Sequence, residues 1–330
     1  MWLKMNRVDF VKSFQRELAT NFNLGYQNWW SKFLFHYSDI SNIISILNSA
    51  KLYSRNKALA LRLMQNDNAD NSVISHTDTR AKEYVRLYFG ALTPTQYHNE
   101  GFKSRTKILH HAHCPVPVFL LLNFVKILSR TDSHFSSGNI ASAKSNIYNH
   151  IEDLDKLEFK YIYHRDYIQE NMNKQLITYC RHAEVLIPDE LNIYDYIEYV
   201  MVRSEAEKQT LLYHLNQTSK QKLKQKIRIY KNGIFYADRF YIENIELVDN
   251  RFSISFSRIT DDKFDFVFYI TNNDIGLNYT SKIPQISIEN RTIIFQIKPE
   301  YVSKNISLKI TIDGNLAYEH NFGVHNNLVL

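Results

Sequence analysis

Residues 116–125 read VPVFLLLNFV and form the longest apolar run in the chain. A membrane-spanning helix needs about 20 such residues, roughly twice this length, and Pro117 and Asn123 interrupt the run. The run therefore predicts a buried β-strand. Three further runs of aromatic or β-branched residues predict accompanying strands. These runs cover residues 84–89, 183–187 and 196–203.

Helical patterns surround these strands. Apolar residues recur at helical spacing in two early segments, and in a third segment after a capping box formed by Ser204 and Glu207. The apolar residues are Val8, Val11, Phe14 and Leu18; Ile40, Ile43 and Leu47; and Leu211, Leu212 and Leu215. Helices mixed with short strands predict an α+β domain over residues 1–215.

The pattern changes near residue 216, after which apolar residues mostly alternate at the period of a half-buried strand. Asn232-Gly233 and Asp313-Gly314 are dipeptides typical of hairpin turns. About seven strands over this length predict an all-β sandwich of immunoglobulin-like type. We therefore expect a second domain over residues 226–330, joined to the first by a polar and basic linker at 216–225.

The composition narrows the class of protein. A hydrophobic content of 44% supplies a core, and eight Gly and six Pro are too few for a low-complexity chain. We expect a soluble globular protein. The first 18 residues carry several charges and lack the apolar stretch of a secretory signal. This favours a cytoplasmic location and no membrane partner.

Cysteine and histidine give no sign of a metal centre. Cys114 and Cys180 are the two cysteines, too few for a disulfide framework and without CxxC spacing. The cluster His110, His111, His113 and Cys114 is not followed by a second group of ligands at zinc-like spacing. We therefore expect no metal.

The net charge of +6 and the pI near 9.0 favour an anionic partner. A segment with six basic residues contains no acidic residue. It is compatible with a nucleic-acid patch or with a solvated linker face. Its members are Lys220, Lys222, Lys224, Lys226, Arg228 and Lys231.

Familiar catalytic motifs are absent, since the chain contains no Walker loop, no GxGxxG after a strand, no GxSxG and no HExxH. Three segments instead place polar residues in apolar strand contexts, where desolvated functional groups tend to occur. They are FHYSD at 35–39, which leads into a helix carrying Asn42; TRAKEYVRLYF at 79–89; and RHAEVLIP at 181–188.

Each segment allows a functional and a structural interpretation. His36 precedes a helix N-terminus, which can hold an anion or a sugar, but an isolated histidine is often structural. Arg80 and Arg86 suit a pyrophosphate, yet an amphipathic strand also exposes arginines. In a strand, Glu184 and Leu186 share one face, which lies either at a cleft or at a solvated sheet edge.

Taken in order, the three segments resemble the DarT-type family of DNA ADP-ribosyltransferases. Members of that family read roughly YHIT…N, then YVPFYF followed by a proline and a tyrosine, then AEFLV. The counterparts here are FHYSDISN, YVRLYFGALTPTQY and AEVLI, and FSSGN at 135–139 resembles a fourth element at the expected place. The resemblance covers about residues 30–215.

The resemblance implies an ADP-ribosyltransferase fold, NAD as a substrate, and roles for particular residues. It makes Glu184 the catalytic carboxylate, with Arg80 preferred over Arg86 as the catalytic arginine. The residues implied to bind NAD are His36, Ser38, Asn42, Tyr84, Arg86 and Tyr88. Those implied to bind the acceptor are Tyr161, Tyr163, His164 and Arg165. The chain departs from the family at residues 90–92, GAL, where relatives tend to carry an arginine-proline pair.

The implied activity is transfer of ADP-ribose from NAD to a base of single-stranded DNA, by a toxin or an antiphage effector. One alternative keeps the chemistry but has RNA as the acceptor. Another is an inactive relative that binds nucleic acid or protein. The β domain lies outside the resemblance and is open to an antitoxin, a phage-derived trigger or an oligomer contact.

Overall fold

The computed structural model describes residues 6–21, 25–63, 79–109, 112–140, 142, 144–231, 233–248, 250–301 and 303–323, without the side chains of 25–27 and 79–80. Its α-helices are α1 (Arg7–Asn21), α2 (Ile40–Ser49), α3 (Arg55–Ala60), α4 (Pro94–Asn99), α5 (Phe124–Leu128), α6 (Phe159–Ile162), α7 (Lys174–Cys180), α8 (Glu205–His214) and α9 (Gln217–Leu223). Short 3-10 helices include Gly25–Lys32, Thr79–Glu83 and Ile151–Lys156. Within these residues, no helix combines the length and the apolar character needed to cross a membrane.

Two groups of strands follow one another along the chain. The first is β1 (Phe33–Asp39), β2 (Lys51–Tyr53), β3 (Tyr84–Tyr88), β4 (Pro117–Asn123), β5 (His134–Ser136), β6 (Ile147–Tyr148), β7 (Glu184–Pro188), β8 (Glu190–Asn192), β9 (Ile197–Val202) and β10 (Ile227–Ile229). The second is β11 (Ile242–Val248), β12 (Arg251–Phe256), β13 (Thr260–Asn272), β14 (Leu277–Ile288), β15 (Thr292–Gln296), β16 (Ile306–Ile312) and β17 (Asn315–Asn321).

An eight-stranded sheet organises the first group, in the order β10-β9-β4-β1-β3-β7-β5-β6. Strand β4 is the predicted apolar strand, and Pro117 through Leu122 are buried. It pairs with β1 along its full length, from Phe33 opposite Asn123 to Asp39 opposite Pro117. Burial on both faces explains why this strand is continuously apolar rather than alternating.

The early helices form for the reasons that the sequence suggests. Helix α1 buries Phe10, Val11, Phe14 and Leu18 against the core. Helix α2 starts at Asp39, whose carboxylate accepts a hydrogen bond from the backbone N–H of Ser41 at 3.1 Å. That carboxylate also accepts from Val116 at 3.3 Å, so the cap ties the start of α2 to the approach to β4.

The second group forms two antiparallel sheets, β11-β12-β15 and β14-β13-β16-β17. Alternate residues of β13, among them Phe264, Phe266 and Phe268, are buried as the period-two pattern predicts. The rings of Phe268 on β13 and Phe295 on β15 stack with centroids 4.8 Å apart, so the two sheets face each other. The C-terminal part is therefore built of β-sheets, as expected.

The segment between the two groups packs against the first one. Residues 216–225, expected as a linker, contain α9, and the following strand β10 pairs with β9 in the eight-stranded sheet. The Ser219 hydroxyl donates to the carbonyl of Leu47 at 3.0 Å and accepts from the Tyr194 hydroxyl at 2.8 Å. These contacts fix α9 beside the C-terminal end of α2.

Candidate functional site

The sheet brings together the three segments that carry the candidate residues. Strands β1, β3 and β7 are neighbours, and Tyr88 lies opposite Phe35 on one side and Glu184 on the other. Alternation within β3 places Tyr84, Arg86 and Tyr88 on one face, because Val85 and Leu87 point into the core. The sheet therefore positions the candidate residues of three distant segments side by side.

Glu184 is the centre of this site. Its side chain is 0% exposed, and its Oε2 accepts hydrogen bonds from Nε of Arg86 at 2.9 Å and from Nη2 at 2.7 Å. Its Oε1 is buried and has no hydrogen-bond partner among the residues that the structure describes. Its backbone N–H donates to Oγ of Ser136 at 3.1 Å, which fixes the start of β7 against β5.

Electrostatics at the carboxyl group reflect two opposing causes. Burial raises the pKa of Glu184, while the positive charge and the hydrogen bonds of Arg86, together with the Tyr88 hydroxyl, lower it. Burial also raises the pKa of Tyr88, and the neighbouring Glu184 adds to this rise. Tyr88 thus keeps its proton at neutral pH, and Arg86 favours the ionised form of Glu184.

The start of α2 lies beside this pair. The imidazole of His36 is half-buried, and its Nδ1 is 3.3 Å from the backbone oxygen of Arg86. Burial lowers the pKa of His36 to about 4, so the ring is neutral at physiological pH. The side-chain amide of Asn42 donates to the hydroxyl of Ser38 at 3.2 Å. The structure therefore brings His36, Ser38 and Asn42 together next to Arg86.

The face that carries Glu184 also has an apolar part. Leu186 packs there with Ala81 and Ile140, and Tyr84 lies against this small cluster. The ring of Tyr84 is also 5.7 Å from that of His134. Glu184 and Leu186 therefore share a face, as the strand period predicts, and that face is buried rather than open to solvent.

The segment FSSGN lies against β7 as well. Ser136 contacts the backbone of Glu184, and the Ser137 hydroxyl is 2.6 Å from the Tyr179 hydroxyl. A Cβ on Gly138 would come within 2.4 Å of the Tyr179 ring. Only glycine leaves room for this ring, which explains why Gly138 lies between the two serines and Asn139.

The two candidate arginines differ in what the structure describes. Arg86 is the arginine that binds Glu184, and its side chain is 37% exposed. The side chain of Arg80 lies outside the described residues, although its backbone belongs to the 3-10 helix Thr79–Glu83. The observed partner of Glu184 is therefore Arg86, which the family resemblance implies is an NAD contact, and not Arg80, which it favours for catalysis.

The candidate acceptor residues do not form one exposed group. Tyr163 is 3% exposed and packs on Phe159 and Trp30 in the core, because it follows α6 directly. Tyr161, His164 and Arg165 are half-buried. Tyr163 is thus a core residue, whereas the other three keep some contact with solvent.

Two residues near the site were not predicted. The Thr95 hydroxyl is 3.2 Å from Nε2 of His182, whose Nδ1 lies 2.9 Å from the carbonyl of Thr178. Burial lowers the pKa of His182 to about 4. The segments TPTQY and RHAEVLIP contain both residues, but only the fold brings them together, since 87 positions separate them.

The described residues hold no group of three or more His, Cys, Asp or Glu side chains that could bind a metal. Cys114 is buried, and Nε2 of His113 lies 3.0 Å from the carbonyl of Gly101. His110 and His111 lie outside the described residues.

Comparison with known proteins identifies the class. A family model described as "ssDNA thymidine ADP-ribosyltransferase, DarT" matches residues 35–236, more than half of the chain. The chain is thus an ADP-ribosyltransferase. It belongs to the DarT family. No curated protein matches it.

Solved structures resemble the first part of the chain. DarTG of Thermosipho africanus in complex with ADP-ribose is 18% identical with a TM-score of 0.50, over 66% of this chain and 54% of that one. This chain therefore spans about half the length of DarTG. DarT of Thermus sp. 2.9 in complex with ADP-ribosylated ssDNA is 15% identical with a TM-score of 0.49, over 62% of this chain and 96% of that one. The same protein in complex with NAD+ is 15% identical with a TM-score of 0.47, over 62% of this chain and 98% of that one.

Proposed function

We propose that the chain transfers ADP-ribose from NAD to thymidine in single-stranded DNA, with Glu184 as the catalytic carboxylate. The observation that carries this assignment is the state of the carboxyl group. Arg86 holds one oxygen, while the other is buried without a hydrogen-bond partner among the described side chains. Such an oxygen costs about 1–3 kcal/mol, and a hydroxyl of a bound ribose would satisfy it.

The reaction separates charge at the ribose. When the nicotinamide–ribose bond breaks, its electron pair leaves with nicotinamide and positive charge develops on the sugar, as in glycoside cleavage. An ionised Glu184 stabilises that charge. The ring nitrogen of the base then forms the new bond to the same carbon, and its proton passes to Glu184. No second carboxylate is needed to activate water, because the base is the nucleophile.

Other residues bind and orient the substrates in this proposal. Arg86 keeps Glu184 ionised, and its partly exposed side chain can also contact the pyrophosphate of NAD. The groups at the start of α2, His36, Ser38 and Asn42, hold NAD, and Tyr84 and Tyr88 border its nicotinamide. Arg80 stays a candidate for a second functional arginine. Tyr161, His164 and Arg165 are the candidate contacts to the acceptor.

The biological role that we propose is that of a toxin or an antiphage effector acting in the cytoplasm. We also propose that the second group of strands is an immunoglobulin-like sandwich, because its seven strands divide into facing sheets of three and four. We propose that this domain contacts an antitoxin or a phage-derived trigger.

The test incubates the purified chain and its Glu184→Gln variant with labelled NAD and single-stranded DNA, duplex DNA or RNA. We expect label on single-stranded DNA and at least a hundredfold slower transfer by the variant, with NAD binding retained in calorimetry. Glu190→Gln is the control, because Glu190 lies close in sequence and pairs with Lys51 and Lys57 instead.

Each outcome bears on one element of the proposal. Wild-type transfer by a folded Glu184→Gln variant would rule out Glu184 as the catalytic group. Label on RNA alone would keep Glu184 and change the acceptor. Failure of the wild-type chain to bind NAD would favour the alternative that the chain is an inactive relative. Expression that is toxic for the wild type and harmless for the variant would support the role as a toxin.

A further inference from the structure

The six basic residues that the sequence singles out lie close together in the chain, in and next to two elements at the edge of the eight-stranded sheet. We call this feature, made of Lys220, Lys222, Lys224, Lys226, Arg228 and Lys231, the basic stripe. It runs along α9 and the edge strand β10. No acidic residue occurs between positions 216 and 237.

Carboxylates neutralise little of this charge. Within the described part of the chain, Lys231 is the only member of the stripe with an ion pair, to Glu243 at 2.9 Å. The ammonium group of Lys226 donates to the carbonyl of Ile197, and that of Lys222 lies 4.6 Å from the centre of the Tyr194 ring. The stripe therefore carries several positive charges without a compensating carboxylate.

The fold holds these charges together although they repel one another. Lys220 of α9 and Lys224, the residue at its C-terminal cap, lie one turn apart, a spacing at which like charges destabilise a helix by about 0.2–0.5 kcal/mol. Ser219 and Leu223 anchor the helix through a face on which both are buried, and Lys220 and Lys224 lie on the flank of that face. A packed helix that carries several like charges outside its buried face is electrostatically complementary to a polyanion.

Aromatic rings accompany the positive charges. Tyr194 lies under Lys222, and Tyr199 on the adjacent strand β9 is 37% exposed. Proteins that bind single-stranded nucleic acids combine a positively charged path for the phosphates with rings on which bases stack. The stripe has both features.

The stripe lies within reach of the catalytic site. Helix α2 begins beside the candidate NAD contacts and ends at Ser49, where Leu47 and Asn48 bond to Ser219 and Asn216 of the stripe region. The ten residues of α2 span roughly 15 Å. A single strand that extends several nucleotides beyond the modified base is therefore long enough to reach the stripe.

We propose that the basic stripe binds the phosphate backbone of the single-stranded DNA substrate outside the catalytic cleft. The identity of the partner rests on the proposed function, whereas the existence of the surface does not. Long strands would therefore bind more tightly than short ones, and the gain would depend steeply on salt.

The test measures binding rather than turnover. Fluorescence anisotropy of labelled oligonucleotides of about 4 and about 20 nucleotides would be followed across salt concentrations, in the Glu184→Gln background. The stripe variant is Lys220→Gln, Lys224→Gln and Arg228→Gln. The matched control is Lys263→Gln, Lys304→Gln and Arg291→Gln, which removes two lysines and one arginine from exposed positions of the second group of strands.

We expect the stripe variant to lose most of the extra affinity for the long strand, and the slope of log K against log salt to fall by about 2, as three lost phosphate contacts predict. The short strand and the control variant should bind as before. The proposal would be overturned by an unchanged slope or by an equal loss of affinity in both triple variants. It would also be overturned if the affinity that depends on the stripe were found only for RNA or for anionic lipid vesicles. Absence of ADP-ribose transfer would count against the proposed function and leave this result standing.

Discussion

At the scale of single residues, the pairing of Arg86 with Glu184 sets the chemistry of the site. Arg86 donates two hydrogen bonds to one carboxylate oxygen, and it opposes the rise in the pKa of Glu184 that burial causes. A carboxylate that takes a proton from the acceptor must be ionised beforehand. The arginine is therefore coupled to catalysis through the protonation state of its partner.

We expect Arg86→Gln to shift the acid limb of the pH–rate profile to higher pH. Removal of the positive charge raises the pKa of Glu184 further, so a smaller fraction is ionised at a given pH. At neutral pH we expect transfer to slow by about 10–100-fold, equivalent to the ~1.5–3 kcal/mol of a hydrogen bond to a charged group. Steady-state kinetics between acidic and alkaline pH would measure both effects.

The Arg86→Lys variant is the control, since it keeps the charge and loses the two-nitrogen contact. Its acid limb should stay closer to that of the wild type than the limb of Arg86→Gln. An identical pH profile for all three proteins would mean that Arg86 does not govern the ionisation of Glu184.

At the scale of elements, the turn between β3 and α4 links the site to the segment that follows β10. Leu92 has a φ of 57°, a left-handed conformation that is uncommon for leucine. Its N–H donates to Gln96, and its carbonyl accepts from Arg181 and from the Tyr236 hydroxyl. The turn therefore depends on contacts from outside the sheet, at the point where the chain departs from the family pattern.

We expect Tyr236→Phe to lower kcat several-fold and to leave the KM for NAD nearly unchanged. The variant keeps the ring and loses the 3.0 Å hydrogen bond from the hydroxyl to the carbonyl of Leu92. The turn then relaxes, and Thr95, which contacts His182, shifts relative to Tyr88. A typical hydrogen bond of this kind contributes about 1 kcal/mol. Tyr230→Phe, in the same part of the chain, serves as the control. Equal kinetics for both variants would show that the turn does not position the site.

Parts of this arrangement follow from local sequence and parts do not. The apolar run in β4, the cap at Asp39 and the shared face of Glu184 and Leu186 are local patterns, and the structure contains all three. The bond between Arg86 and Glu184 depends on the pairing of β3 with β7, which lie 98 residues apart at these positions. Spacing along the chain carries no information about that pairing.

Two parts of the structure differ from the sequence prediction although a local helical pattern indicates them. In both segments the prediction relied on charged and aromatic residues instead. Phe159, Ile162 and Tyr163 recur at helical spacing and are all buried, so periodicity already indicates a core position for Tyr163. Asn216 caps α9 by accepting from Ser219 N–H, a helix start inside the expected linker.

At the scale of the whole molecule, α8 joins the two groups of strands. The Tyr318 hydroxyl of β17 donates to Gln209 at 2.7 Å, and the N–H of Glu319 donates to the hydroxyl of Thr210 at 3.0 Å. Ser204, which caps α8, donates to the carbonyl of Ile242 at the start of β11. Buried side chains of both groups form one continuous apolar cluster. The contacts favour unfolding of the chain as a single unit.

We expect calorimetry to show one unfolding transition, and Tyr318→Ala to move all of it to lower temperature. The Tyr318 side chain is completely buried between α8 and the second group of strands, and truncation of a buried aromatic ring costs about 3–5 kcal/mol. Tyr269→Ala, on the exposed side of β13, is the matched control and should change the midpoint little. Two separate transitions, of which Tyr318→Ala shifts only one, would show that the groups fold independently. In that case, binding to the second group could not reach the catalytic site through the stability of the whole chain.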